Sequence, residues 1–127
     1  MSSPSKSPNH YVYASASDMT WSRSEKTMAR KAFDAALKRE LHELMQEAKE
    51  IAGHIKQPSD LWDLQEYLTQ RRKEIDHKYN FRYSHLTQVF GRLLYETRVS
   101  EEELRGFGED KLKTIRSFAK FSAEDAT

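Results

Sequence analysis

Apolar residues recur along most of this chain at steps of three and four, the spacing that lines up one face of a helix. The period-two alternation of a half-buried strand appears nowhere convincingly. Leu37, Leu41, Leu44, Ala48, Ile51 and Ile55 follow a 4-3-4-3-4 spacing over about two and a half heptads. That is a coiled-coil seam, or equally one long amphipathic helix of a bundle. A second stripe, Leu61, Leu64, Leu68, Ile75 and Tyr79, shares one face of the helix that follows. A third run holds Leu86, Val89, Phe90, Leu93 and Leu94, and a last one Leu112, Ile115, Phe118 and Phe121.

Punctuation between the runs gives the expected boundaries. Ser22-x-x-Glu25 has the form of a capping box and opens the first helix behind the apolar Trp21. This helix runs to about Gly53 or Ile55 and stops before Pro58. The second opens at Ser59 or Asp60 and ends around Asn80. The third carries the Leu86 run. Ser100-x-x-Glu103 is a second capping box starting a short fourth helix, which Gly106 and Gly108 end; a fifth follows. The expected fold is all-α: an elongated helical hairpin stalk over residues 21–80 and a small helical head over 81–121. Residues 1–20, rich in serine, and residues 122–127 are expected to be disordered tails.

Length argues for a two-fold homodimer. About 30 helical residues span ~45 Å, whereas a compact globule of this chain length is only ~36 Å across. An isolated elongated hairpin would leave part of its apolar seam bare, and pairing of two copies along the first two helices covers it.

Trp62 breaks the pattern of the second helix. It lies ~120° from the centre of the apolar face, among Gln65, Glu66, Thr69 and Lys73, with Arg72 at the border. Either another helix of the same chain covers this ring, or it belongs to an interface, where Trp and Arg are the usual anchors. Arg72 is the cation expected to have a structural partner, with Glu66 of the same helix or of a second copy as the candidate. Arg71 and Lys73 are expected to be solvated.

Composition narrows the chemistry. The chain has 127 residues, no cysteine, 21 basic and 20 acidic residues and a net charge of +1. Disulfides, zinc–thiolate sites and thiol catalysis are excluded. A near-neutral balance gives no general pull toward nucleic acid or anionic membrane. No apolar run approaches the ~20 residues of a membrane span, and no signal pattern opens the chain, so a cytoplasmic protein is expected. His10, His42, His54, His77 and His85 form no recognised metal pattern. No phosphate loop or nucleophile elbow is present. Glu101, Glu102 and Glu103 fit the first turn of a helix, where negative charge complements the dipole. The expectation is a binding protein with no catalytic site, no metal and no cofactor. A weaker alternative is helix-turn-helix-like DNA binding over residues 86–118, with Lys111, Lys113, Arg116 and Lys120 on the last helix.

From Trp21-Ser22 to the end of the fifth helix the chain resembles the fluorescence recovery protein family of cyanobacteria and their relatives. The most specific part is Asp60-Leu61-Trp62-x-Leu64, then Leu68, Arg72, Glu74-Ile75-Asp76 and Lys78-Tyr79. Arg39-Glu40-Leu41, Phe90, Leu93-Leu94, Glu102-Glu103-Leu104, Asp110-Lys111 and Ile115 extend it. The resemblance implies a helical dimer that binds the C-terminal domain of photoactivated orange carotenoid protein, speeds its return to the resting form and so ends energy quenching. It implies a patch of Trp62, Glu66 and Arg72, continued by Gln65, Gln88 and Lys113. Three positions depart from the family pattern: Gln65 stands in place of a His, Gln88 in place of a head aromatic, and Thr114 in place of a basic residue, with Lys113 and Arg116 beside it. The departures leave open a second reading, a dimeric adaptor on the same scaffold with a different protein partner in a bacterium lacking phycobilisomes.

Overall fold

The computed structural model describes residues 19–126. The expected N-terminal tail lies outside them up to residue 18, as does Thr127. Among the described residues every regular element is helical: α1 (Arg23–Gly53), α2 (Pro58–Lys78), α3 (Leu86–Tyr95), a 3-10 turn (Glu102–Leu104) and α4 (Glu109–Ala126). The short fourth helix expected from its capping box is thus a single 3-10 turn. The box itself is present: the Glu103 amide donates to Ser100 Oγ at 3.2 Å and the Ser100 amide to Glu103 Oε1 at 3.0 Å.

α1 opens as expected. Ser22 caps it, with the Glu25 amide donating to Ser22 Oγ and the Ser22 amide to Glu25 Oε1. Glu25 also reaches across the fold, accepting from the Gly108 amide at 2.7 Å and pairing with Lys111 at 3.2 Å. α2 begins one residue earlier than expected. Pro58 takes the first helical position, where its missing N–H costs nothing. Asp60 sits two residues inside and accepts from the Lys56 and Gln57 amides. α4 runs to Ala126, which corrects the expected tail over 122–127. Ala123 and Ala126 favour helix, and Ser122 and Ala123 are half-buried.

The core sits where the first half of α1 meets α3, the 3-10 turn and α4. Ala29, Ala32, Phe33 and Ala36 of α1 pack against Leu86, Phe90, Leu93, Leu104, Phe107 and Ile115. Trp21 meets Phe107 edge-on at 5.4 Å, and Phe33 meets Phe81 at 5.0 Å. Alanines on α1 let the head come close, and Gly91 lets α3 and α4 do the same. A Cβ there would stand 2.4 Å from Phe118 Cβ. Beyond Ala36, α1 begins to pair with α2, while Arg39, Glu40 and Glu43 still bond Arg98 and Glu103 of the head. The contacts Glu47–Tyr67, Glu40–Arg71 and Ala36–Tyr79 descend along one helix as they rise along the other, so the two run antiparallel.

Candidate functional site

α2 carries the main candidate surface. Ile75 is its one fully buried residue, with Leu64, Tyr67, Arg71 and Lys78 half-buried on the same side, toward α1. Trp62 points directly away from α1 and is 65% exposed. Among the described residues no helix covers it, which removes the reading of Trp62 as packed under a neighbouring helix of the monomer. Gln65 and Arg72 stand on one flank of Trp62 and Glu66 on the other, all exposed. From Trp62 to Arg72 is ~15 Å along the helix.

Two expectations about this helix need correction. Leu61 and Leu68 were to lie on the buried stripe, but they are 49% and 37% exposed. α2 turns its Leu64–Arg71–Ile75 side to α1, and that leaves these two leucines on an open flank. Arg71 and Arg72 exchange roles. Arg71, expected to be solvated, is only 19% exposed and binds Glu40 at 3.3 Å and Glu74 at 3.0 Å. Arg72, expected to be the structural cation, is 85% exposed. Within its own chain its partner is Asp76 at 3.8 Å rather than Glu66.

The seam of α1 is half covered within the chain. Leu37, Leu44, Ala48, Ile51 and Ile55 are partly buried, Leu41 is 41% exposed and Met45 is 55% exposed. Leu37, Leu41, His42 and Met45 line an open groove of about 800 Å³ with Asp34, Ala35 and Lys38. Viewed down α1 from its N-terminus, the strip Leu37–Leu41–Met45 lies ~120° clockwise of the line to α2. α2 runs the opposite way, so in the same view Leu61 and Leu68 lie ~80° counter-clockwise of the line back to α1. Both displacements lead to one side of the helix pair. Both helices thus turn exposed apolar residues to one side of the pair, bordered by Gln65 and Arg72, with Trp62 at its edge.

Where α1, α2 and the turn after α3 meet, one buried carboxylate gathers the charges. Glu40 is 1% exposed. It pairs with Lys78 at 2.7 Å, Arg98 at 3.2 Å and Arg71 at 3.3 Å, and accepts from Tyr79 Oη at 2.8 Å. Burial works to raise this carboxyl. Hydrogen bonds from Lys78 and Tyr79, with the charges of Lys78 and Arg98, outweigh it and hold Glu40 below the usual carboxylate range. Glu96 joins through Lys78 at 2.8 Å, Arg92 at 2.9 Å and Arg98 at 2.9 Å, and is lowered in the same way. Glu40 escaped the pattern reading, although a signal existed. It stands one heptad after Phe33, a charge on the apolar face of α1.

The head residues do not join the α2 patch. Gln88 is exposed in the first turn of α3 and lines a groove of about 400 Å³ with Arg92, Tyr95, Phe118 and Phe121. Phe121 is 64% exposed and Tyr95 43%, so this head face has aromatics that pattern reading did not assign to a surface. Lys113 is exposed on α4, and Thr114 donates its hydroxyl to the Asp110 carbonyl. Trp62 lies ~24 Å along α2 from the end that meets the head. Of the basic residues offered for DNA contact, Lys111 is buried against Glu25 and the Thr20 carbonyl, and Arg116 pairs with Glu101 and Glu109. Both are paired within the chain, while Lys113 and Lys120 are exposed. Among the described residues there is no group of three potential metal ligands, and no helix is long and apolar enough to cross a membrane.

Comparison with known proteins agrees with this geometry. Residues 21–119 match the family described as photoprotection regulator fluorescence recovery protein. The fluorescence recovery protein of Synechocystis sp. (strain PCC 6803) is 39% identical over 100 residues, which are 79% of this chain and 92% of the relative. The solved structure of that protein superposes with a TM-score of 0.76 over 80% of this chain and 99% of its own. The fluorescence recovery protein of Fremyella diplosiphon superposes with a TM-score of 0.75 at 37% identity, again over 80% of this chain and 99% of its own.

Proposed function

The chain belongs to the fluorescence recovery protein family of photoprotection regulators, and from that premise we propose that it accelerates reversion of a photoactivated orange carotenoid protein. It would do so by binding that protein's C-terminal domain and so end non-photochemical quenching. In this reading it makes and breaks no covalent bond. A binder that prefers one of two states of its partner shifts the balance between them, and by as much as its affinities for the two states differ. The carotenoid belongs to the partner. The working form is a two-fold homodimer, formed along the apolar side of α1 and α2.

The observation that carries this reading is Trp62. A tryptophan that is 65% exposed, at the edge of an apolar side and flanked by Gln65, Glu66 and Arg72, is what an interface anchor looks like before its partner arrives. The test is dark recovery of photoactivated orange carotenoid protein, followed by absorbance with and without this protein. Recovery is expected to quicken, and Trp62→Ala or Arg72→Ala to reduce the effect at least about tenfold, the cost of losing an anchor worth ~1.4 kcal/mol or more. Unchanged recovery at saturating protein rejects the reading.

Gln88 supports a second reading, a dimeric adaptor for a different protein. A polar residue stands where the family pattern has an aromatic, and the exposed rings of this head face are Tyr95 and Phe121 instead. If recovery is unaffected while Trp62→Ala still abolishes capture of a protein from the native organism, this second reading holds.

A further inference from the structure

α2 is held to the rest of the chain by little fully buried apolar surface and by several polar ties. Only Ile75 is fully buried along its 21 residues. The first half of α1, by contrast, is locked to the head by buried alanines and aromatics. Beside Ile75 and the half-buried Leu64, what holds α2 is the Tyr67–Glu47 hydrogen bond, the aromatic anchor of Tyr79 against Phe33, and the bonds of Arg71, Lys78 and Tyr79 to Glu40. Tyr79 pins one end of the helix. The angle at which the other end leaves the head then depends on Arg71 and Lys78. Both converge on a carboxylate that Arg98 holds from the head side.

We infer that Glu40 is a positioning residue: it sets the orientation of α2 relative to the head, and thereby the geometry in which the Trp62 surface and the Gln88 surface are presented together. Apolar packing tolerates sliding, because one methyl contact replaces another at similar energy. A buried carboxylate meeting three cations and a phenol has no equivalent second arrangement, since any shift leaves charge unpaired in a site that water does not reach. Arg98 reinforces this by bridging Glu40, Glu96 and Glu43. Glu40 is fully buried, so it touches no partner, and its influence on recognition passes through α2. The inference needs two separated surfaces but no particular partner.

The chain has no cysteine, so Glu66→Cys on α2 and Lys113→Cys on α4 introduce the only two thiols. Spin labels there report the distance between helix and head by double electron–electron resonance. An excess of unlabelled chain removes distances between copies. With Glu40 in place a single narrow distribution is expected. Glu40→Gln keeps the shape and an acceptor for Tyr79 but loses the charge. It is expected to broaden the distribution roughly twofold or shift its centre, while circular dichroism shows helix content unchanged. A distribution of the same centre and width overturns the inference. If Glu40→Gln does not fold, Arg71→Gln removes only the α2 arm of the junction, and the same two outcomes decide. No partner is needed for the readout, so its failure is distinct from failure of the carotenoid-protein assay.

Discussion

Thr97 shows how one residue can hold strain on behalf of a network. Its φ is +61°, in the left-handed region, where a β-branched side chain is disfavoured by ~1–2 kcal/mol. The reason is local. The Arg98 amide donates to the Leu93 carbonyl at 2.8 Å and the Thr97 amide to Leu94 at 3.0 Å, the paired bonds that close a helix through a left-handed residue. That turn delivers Arg98 to Glu40, Glu43 and Glu96. Glycine fits this position without strain, though it costs more backbone entropy on folding. Thr97→Gly is therefore expected to stabilise the chain by about 0.5–1 kcal/mol, raising the thermal midpoint by about 2–5 °C. A lower midpoint would mean that the Thr97 hydroxyl, which donates to the Glu96 carbonyl, matters more than the strain. At this scale the sequence was legible only where partners are close along the chain. Both capping boxes span three residues and both formed. The partners of Glu40 lie 31 to 39 residues away on α2 and at its C-terminal cap, and further still at Arg98. No periodicity shows which of the adjacent Arg71 and Arg72 would turn toward it.

Between elements, two glycines give opposite expectations from one physical test. At Gly91 an added methyl would meet Phe118 Cβ at 2.4 Å, the Ile115 carbonyl at 2.9 Å and the Ala119 amide at 3.0 Å. α3 and α4 cannot separate without opening the core around Phe90 and Ile115. Gly91→Ala is expected to destabilise by about 1–3 kcal/mol in denaturant titration, despite alanine's better helix propensity. Gly53, in the last turn of α1, has nothing within 4 Å, and Gly53→Ala is expected to stabilise by about 0.5–1 kcal/mol. The elements are also joined by carboxylates whose protonation will part them. Glu40 and Glu96 lie below the usual range, with burial opposing and hydrogen bonds from Lys78 prevailing. Glu25 is lowered against its own burial by the Ser22 and Gly108 amides and by Lys111, and Glu103 chiefly by Arg39. A carboxyl with a depressed value in the folded state takes up its proton sooner in the unfolded chain. Its stabilisation is whole above the ordinary value near 4.3 and is lost as pH falls through the folded value. The melting temperature should stay nearly level from about pH 8 to 5 and fall steeply below about 4.5. Glu40→Gln should melt lower at neutral pH and show a shallower acid fall, and an acid limb unchanged by Glu40→Gln would mean other carboxyls govern it.

For the whole molecule, the question is what covers the apolar side of the α1–α2 pair. Helical class, element order and the head core could be read from period and punctuation, because each run of apolar residues belongs to one element. Which side of each stripe faces inward could not, because that depends on how two helices turn against each other. The stripe Leu61–Leu64–Leu68 was expected to be buried as a unit, and the structure divides it. Leu64 turns toward α1, while Leu61 and Leu68 join Leu41 and Met45 on the open side. Four large apolar residues between 37% and 55% exposed on one side of two helices form a patch that monomers seldom leave bare. A second copy suits it because the patch has two halves of similar character, and a two-fold axis across it would set the α1 strip of each copy against apolar surface of the other. The proposed homodimer should therefore run in light scattering at twice the 14.9 kDa of the chain. Leu41→Glu places a charge in the middle of that side without touching the head core. It should shift the population to the monomer at micromolar concentration, with helix content retained. Trp62→Ala, at the edge rather than the centre, should weaken the dimer by a smaller factor. A chain already monomeric before either substitution would rule out pairing between copies and leave this side to a partner protein alone.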